Sequence, residues 1–447
     1  VITLAVTGFL ALAAVCFALA PWLVATVIAP GMAGAQLDLA VGLTRLLLLS
    51  PLLLGLGAAA MGILNARRQF AWPAFAPVAY NLGIIAGALL LSDRLGIYGL
   101  ALGVLIGAAG HFLLQVPGLW RAGLRYRPVL SLRVDGLAEM ARLLGPRVLG
   151  QAAFQVNFII LTNLASRLAE GRLAALNYAY LLAMLPHGIF AMSLATVVFP
   201  TLAEQFGREQ YGALRATVQT ALRLLLFLTV PAAAGLIVLR VPLVQVLLQW
   251  RAFTAESTAL VSEALGWFAL GLVGVAVVEA LTRAFYAMHD TTTPVLASLA
   301  SIVLNLLASL VLIGPLGHGG LALALSLAGL AEMTVLLIVL RRRLGPLLRG
   351  LAGSLGRTAL ATAVMVGLLL PAGEALAVVT SPARGRGLGE ALWLLSALAM
   401  GLAGYLTAAV LAGSPEAATL WRAVAGRRPR PAVRRTAPPP GAPARRR

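Results

Sequence analysis

An all-α protein that crosses a membrane many times is the fold class this sequence predicts, and three observations carry that reading. About twelve long apolar stretches alternate with short arginine-bearing loops. Hydrophobic residues make up 60% of the chain and charged residues 11%, with a mean hydropathy of +0.94. Many of the stretches approach the ~20 residues that a helix needs to cross a hydrocarbon core about 30 Å thick. A water-soluble domain has no interior large enough to hide that much apolar surface.

Taken in chain order, the spans are expected near 1–28, 38–64, 74–92, 97–119, 144–166, 174–200, 217–239, 257–283, 292–314, 319–340, 354–372 and 388–412. Each runs from one loop rich in Arg, Gly or Pro to the next, which is where a helix starts or stops. The loops orient them. Assigned alternately, the loops and adjoining span ends on the side of residue 1 hold seventeen arginines before the basic tail, among them Arg67, Arg68, Arg121 and Arg341 to Arg343. The opposite loops hold eight, including Arg94, Arg167 and Arg172. Basic loops stay in the cytoplasm, so both ends of the chain are expected inside.

The net charge of +19 comes entirely from arginine, since no lysine occurs. Nine of the arginines fall between Arg422 and Arg447, among Pro and Ala. That composition reads as a disordered basic tail, 413–447, near anionic lipid; without interleaved aromatics to stack on bases, it does not read as a nucleic-acid arm. Cys16 is the only cysteine, which excludes an internal disulfide and a Cys-based metal site. His111, His187, His289 and His318 are scattered without ligand spacing, and no phosphate loop, H-E-x-x-H or G-x-S-x-G motif occurs. The expectation is a protein without metal or cofactor that is not an enzyme.

Two segments share an order of features. Pro77-Val78, a helix, Gly99-Leu100-Ala101-Leu102, a helix and Arg121 are matched by Pro294-Val295, a helix, Gly320-Leu321-Ala322-Leu323, a helix and Arg341 to Arg343. Pro to Gly is 22 residues in the first and 26 in the second; Gly to Arg is 22 and 21. Either the chain contains a parallel repeat, as transporters with paired half-bundles do, or Gly/Leu/Ala-rich helices look alike by composition. If the repeat holds, four spans precede Pro294 in the second half and two precede Pro77 in the first. Two helices are then expected upstream of Val1.

Polar groups inside the spans are where function is sought. Arg147, Gln151 and Gln155 are spaced i, i+4, i+8, which places them on one helix face, either lining a wet cavity or bonding neighbouring helices with Arg147 reaching the interface. Asn157 is off that stripe and suits packing, as do Asn81, Asn177 and Asn305. Arg45, two turns into its span, either attracts an anion or snorkels. Glu279 and Arg283 are spaced for a local ion pair and are also candidates for ion coupling; Glu332 is a lone carboxylate and a second coupling candidate. His187 beside Pro186 marks an expected kink.

Several stretches, in order over residues 1 to about 345, resemble the MurJ/MviN family of lipid II flippases within the multidrug/oligosaccharidyl-lipid/polysaccharide (MOP) exporter superfamily. They are Gly62-Ile63-Leu64-Asn65-Ala66 with Pro73-Ala74-Phe75-Ala76-Pro77-Val78 and Asn81, then Pro186-His187-Gly188-Ile189-Phe190 with Ala195-Thr196-Val197 and Pro200. Ala252-Phe253-Thr254 follows, then Ala284-Phe285-Tyr286-Ala287 with Asp290-Thr291 and Thr293-Pro294-Val295, then Ile313-Gly314-Pro315-Leu316-Gly317-His318. The resemblance implies a two-lobe bundle of fourteen helices, of which about twelve are present, the chain beginning at the third. On that pattern 1–120 is an incomplete first lobe of four helices, 121–137 an inter-lobe loop, 138–345 a second lobe of six helices, and 346–412 a terminal pair forming a lipid-tail groove. Where such proteins often carry an acidic or Gln residue followed by Arg after the Tyr-Ala of the eighth helix, this chain has Tyr180-Leu181 after Tyr178-Ala179. Tyr178 and Tyr180 thereby become cavity candidates.

The function so implied is flipping of the undecaprenyl-pyrophosphate-linked peptidoglycan precursor, lipid II, by alternating access in the bacterial inner membrane. Lipid II, membrane lipids and cell-wall synthesis proteins are the expected partners. The alternatives are an exporter of another polyprenyl-linked glycan, a cation-coupled drug exporter, and a non-transporting cell-wall scaffold.

Overall fold

Inside a bilayer every backbone N–H and C=O needs a partner within the chain, and an apolar sequence answers that demand by forming helices. The computed structural model describes residues 2–124, 130, 148, 155–250, 252–347, 350–379 and 388–418. Its elements begin with α1 (Ile2–Trp22), which runs on as a π-helical turn, Leu23–Ile28. Next come α2 (Gly34–Leu47) and α3 (Leu49–Ala66), then α4 (Ala71–Ala86) with a second π turn, Gly87–Leu91, and α5 (Ser92–Leu95). The helices α6 (Ile97–Leu113), α7 (Val116–Arg121) and α8 (Gln155–Ala165) follow. A third π turn, His187–Met192, joins α9 (Arg172–Pro186) to α10 (Ser193–Gly207). The remainder are α11 (Tyr211–Val238), α12 (Arg240–Leu248), α13 (Ala255–Ala287), α14 (Thr292–Leu344), α15 (Leu351–Val379) and α16 (Leu388–Leu411).

Among the described residues ten spans are long and apolar enough to cross a membrane. One of them, α14, is 53 residues long and holds two expected helices, 292–314 and 319–340, broken at Gly317. The described part of the expected 144–166 span is the shorter apolar helix α8. Together these account for all twelve expected helices. The nine-residue α12 lies between two expected spans and is too short to cross.

Two compact units emerge, one comprising 1–177 with 298–328 and the other 178–297 with 329–447. The second has a core of Leu214, Leu222, Leu281, Phe285, Leu336 and Leu340, all within 2% of full burial. A further cluster joins Phe227, Met365, Leu369 and Tyr405. In the first unit Leu64, Ala60 and Leu119 are buried together.

Prolines leave a signature inside these helices. Proline has no N–H, so the carbonyl four residues earlier loses its usual donor, a costly loss in hydrocarbon. Pro21 frees the Phe17 carbonyl in this way, and Arg45 Nε donates to it at 3.2 Å. Pro231 frees the Phe227 carbonyl, and the Tyr405 hydroxyl donates to it at 2.6 Å. In each case a side chain on another helix supplies what the proline removed.

The repeated segments share backbone geometry as well as sequence order. Arg68 and His289 both adopt positive φ, at 58° and 59°, just past a helix end. The next residue then closes the turn, Gln69 N–H to the Leu64 carbonyl at 2.8 Å and Asp290 N–H to the Phe285 carbonyl at 3.0 Å. Further on, Gly96 (φ 55°, ψ −134°) and Gly317 (φ 54°, ψ −130°) make the same turn into the next helix. That backbone conformation is open to little but glycine. A Cβ on Gly99 would fall 2.6 Å from Leu91 backbone, and one on Gly320 would fall 2.2 Å from the Leu312 carbonyl oxygen. Every one of these counterparts is 221 residues apart, from Arg68 to His289 and from Gly96 to Gly317. At that offset the partner of Pro294 is Pro73 and not Pro77, which corrects the sequence pairing. Pro to Gly is then 26 residues in both copies. Two prolines four residues apart lie on one face of α4, and sequence order alone does not say which is the counterpart.

Candidate functional site

Of the stripe expected at the start of the fifth span, Arg147 and Gln151 lie outside the described residues. Gln155 is exposed at the first turn of α8. Asn157, two residues further, accepts a hydrogen bond from Asn305 Nδ2 at 2.9 Å, and Asn305 Oδ1 accepts one from the Ser309 hydroxyl at 3.3 Å. Asn305 and Ser309 are buried, so this trio joins α8 to α14 as polar glue.

Arg45 is half-buried, with its guanidinium 4.8 Å from the centre of the Phe17 ring while Nε serves the Phe17 carbonyl. These two contacts hold it against α1. Arg45 and Gln155 belong to the first unit; the other candidates belong to the second. There Tyr178 is 44% exposed and meets Phe253 edge-on at 5.8 Å. Tyr180 meets Phe268 edge-on at 5.5 Å. These contacts fix the ring planes of both tyrosines.

Glu279 and Arg283 form an ion pair on one face of α13, with Arg283 Nη2 2.9 Å and Nε 3.2 Å from Glu279 Oε1. Arg283 also lines a shallow apolar recess with Leu194, Val198, Leu202 and Ala280. His187 stands in the third π turn, directly after Pro186; its buried Nε2 has no hydrogen-bond partner among the described residues, and Glu279 is within electrostatic reach of the ring. The π turn matters because it shifts the ladder of hydrogen bonds and re-aims the side chains that follow. Glu332 is half-buried on α14.

Other polar clusters were not singled out from the sequence. Asp290 accepts from the Thr293 N–H at 2.9 Å and from its hydroxyl at 2.6 Å, and pairs with Arg343 at 2.6 Å. Burial alone would raise the Asp290 carboxyl, but the hydrogen bonds from Thr293 and Arg343 and the charge of Arg343 hold it below the usual carboxylate range. Glu416 accepts from the Ser354 and Ser414 hydroxyls at 2.8 and 2.7 Å. Burial works against its charge too, and those bonds together with Arg357 outweigh it, so its carboxyl is also depressed. Arg172 Nη1 lies 3.4 Å from His318 Nδ1, beside the Gly317 turn. The motif Gly314 to His318 was visible in the sequence, but its partner 146 residues away carried no local signal.

With the geometry in view, comparison with known proteins is decisive. Residues 1–382 match the family model for lipid II flippase MurJ. The chain belongs to the MurJ family. Among its relatives, the lipid II flippase MurJ of Burkholderia cenocepacia is 30% identical over 316 residues, covering 69% of this chain and 61% of that protein. The probable lipid II flippase MurJ of Vibrio cholerae is 31% identical over 354 residues, covering 78% and 67%. The match thus spans roughly three fifths to two thirds of these relatives' own length. A solved structure of lipid II flippase MurJ in an inward closed conformation superposes with a TM-score of 0.74 at 24% identity, covering 95% of this chain and 84% of that one. An inward-facing multidrug resistance MATE family transporter of the MOP superfamily gives 0.67 at 16% identity, covering 78% and 80%. Those two likenesses show the fold: a MOP-type, multi-pass helical membrane protein.

Proposed function

We propose that this chain carries lipid II across the bacterial inner membrane by alternating access. The observation that supports it is the family match over residues 1–382, backed by relatives named as lipid II flippases. A bare sugar-pyrophosphate headgroup cannot enter hydrocarbon, so its carrier needs a wet path lined with cations and donors. Arg147, Gln151, Gln155 and Arg45 are the proposed headgroup contacts, with Tyr178 and Tyr180 on the wall. On this reading 1–120 and 138–345 are the rocking lobes, 121–137 links them, 346–412 holds the polyprenyl tail, and the basic segment 413–447 is cytoplasmic. No covalent step is required, and the chain acts as a carrier and not as a catalyst of bond chemistry.

The Glu279–Arg283 pair, with His187 nearby, is the proposed coupling element, and Glu332 a second one. An ion pair whose side chains are only partly buried can exchange partners as the lobes move. Complementation tests the whole reading. The full-length protein is expected to rescue cells depleted of their lipid II flippase, and Arg147→Ala to weaken rescue while the protein stays in the membrane. Failure of the unaltered protein to rescue, despite normal membrane levels, would refute it. Undiminished rescue by Arg147→Ala would refute the headgroup assignment alone.

A further inference from the structure

The segments that precede the two repeat copies meet each other. On the second side, Asn163 to Glu170 ends α8 and leads into α9; on the first, Val27 to Gln36 leads from α1 into α2. Asn163 Nδ2 donates to the Val27 carbonyl at 2.7 Å, and the Gly31 N–H donates to the Ser166 hydroxyl at 3.1 Å. The Ser166 hydroxyl in turn donates to the Asn163 carbonyl at 2.7 Å, and Gln36 Nε2 donates to Glu170 Oε1. Backbone meets backbone at the centre of this contact. A Cβ on Gly31 would fall 2.0 Å from the Ser166 carbonyl oxygen and 2.6 Å from the Arg167 nitrogen. No real side chain tolerates such distances, so only glycine lets the two segments come this close.

We infer that Gly31 seated on the Ser166–Arg167 peptide, secured by Asn163 and by Gln36 with Glu170, is a reversible latch that shuts the outer end of the transport path. This rests on the alternating-access reading above and on the arginine count that puts loops 28–34 and 166–172 outside. Three properties separate a latch from permanent glue. Its bonds are polar and its outer members, Gly31, Gln36, Arg167 and Glu170, are exposed, so water replaces each bond at little net cost. Its centre is Gly31, which has no side chain to interlock with the segment it meets. The Val27 carbonyl belongs to the π turn Leu23–Ile28, just after Pro21, where a helix has its hinge-like irregularity. Opening at that turn would withdraw Val27 and Gly31 together.

Cysteine pairing tests this directly. In a full-length protein with Cys16→Ser, Gln36→Cys and Glu170→Cys are joined in membranes by a short bifunctional methanethiosulfonate, which a reductant removes. The expected result is cross-linking that halts lipid II movement in vesicles and full recovery on reduction. Gly31→Val, which overpacks the contact, is expected to slow the cross-linking about tenfold. Asn163→Ala, which removes one bond without a clash, is expected to slow it less. Cross-linked protein that still moves lipid II would overturn the latch, as would a pair that never cross-links or one indifferent to Gly31→Val. If the Cys16→Ser parent moves no lipid II but Gly31→Val still slows cross-linking, the latch stands and the lipid II reading falls.

Discussion

The two repeat copies, Leu64 to Arg121 and Phe285 to Arg343, share a backbone and differ in what fastens it. Both turn through a positive-φ residue, Arg68 or His289, and both re-enter a helix through Gly96 or Gly317. In the first copy the return helix is fastened by stacking, with the Arg121 guanidinium 5.5 Å from the Trp72 ring centre. In the second, Arg343 pairs with Asp290 at 2.6 Å, bonds the Thr293 hydroxyl at 3.2 Å and lies over Phe285. Backbone geometry is thus set by steric rules that leave few choices, whereas a surface fastening can be built from quite different chemistry.

The largest way to break that equivalence is at the turn glycines. Gly96→Ala meets nothing within 4 Å and is expected to cost only the backbone strain of its φ, about 1–3 kcal/mol. Gly317→Ala is expected to cost more, because its Cβ would fall 2.7 Å from Arg172 Nη1 and push that side chain off His318. Thermal unfolding of the two variants in one detergent checks the order; equal losses would deny the Arg172 contact. Next in size are the donors to proline-freed carbonyls. Tyr405→Phe is expected to destabilise by about 1–2 kcal/mol, since Tyr405 is 3% exposed and Phe227 keeps a carbonyl without its donor. Replacing Pro231 by Ala restores the helix donor, so the double variant should recover most of that loss.

The fastenings themselves sharpen the comparison at a smaller scale. Asp290→Asn is expected to cost about 1 kcal/mol, discounted because Arg343 is 45% exposed. Its pH dependence has a definite sign. The Asp290 carboxyl is depressed in the folded state, so its stabilisation is present above the ordinary aspartate pKa and disappears as pH falls through the folded value. Melting temperatures at pH 7 and in acid below the ordinary aspartate pKa should therefore diverge more for the unaltered protein than for Asp290→Asn. Arg121→Gln is expected to cost least, about 0.5–1 kcal/mol for the exposed cation–π contact with Trp72, with no added pH dependence.

The helices were legible because hydrocarbon leaves an apolar chain little else to form, and arginine loops mark their ends. The repeat was legible as an order of features, but Pro73 and Pro77 are too alike for sequence to choose between them; the Gly96 and Gly317 turns choose. The site was harder. Glu279 with Arg283 was readable because the pair is local, four residues along one helix. Asn163 with Val27 and Gly31 with Ser166 were not, because their partners lie more than 130 residues apart and one half of each bond is backbone. Arg45 was read as an anion group or a snorkel, and its bond to Phe17 becomes intelligible only once Pro21 is seen to have emptied that carbonyl.

Movement of lipid II itself is the most direct measurement. The full-length protein is reconstituted into vesicles carrying labelled lipid II, and a membrane-impermeant reagent reads the headgroup's arrival in the opposite leaflet. The account predicts exchange well above protein-free vesicles and about tenfold slower exchange for Arg147→Ala. Exchange no faster than in protein-free vesicles, from protein that is folded and inserted, would contradict it.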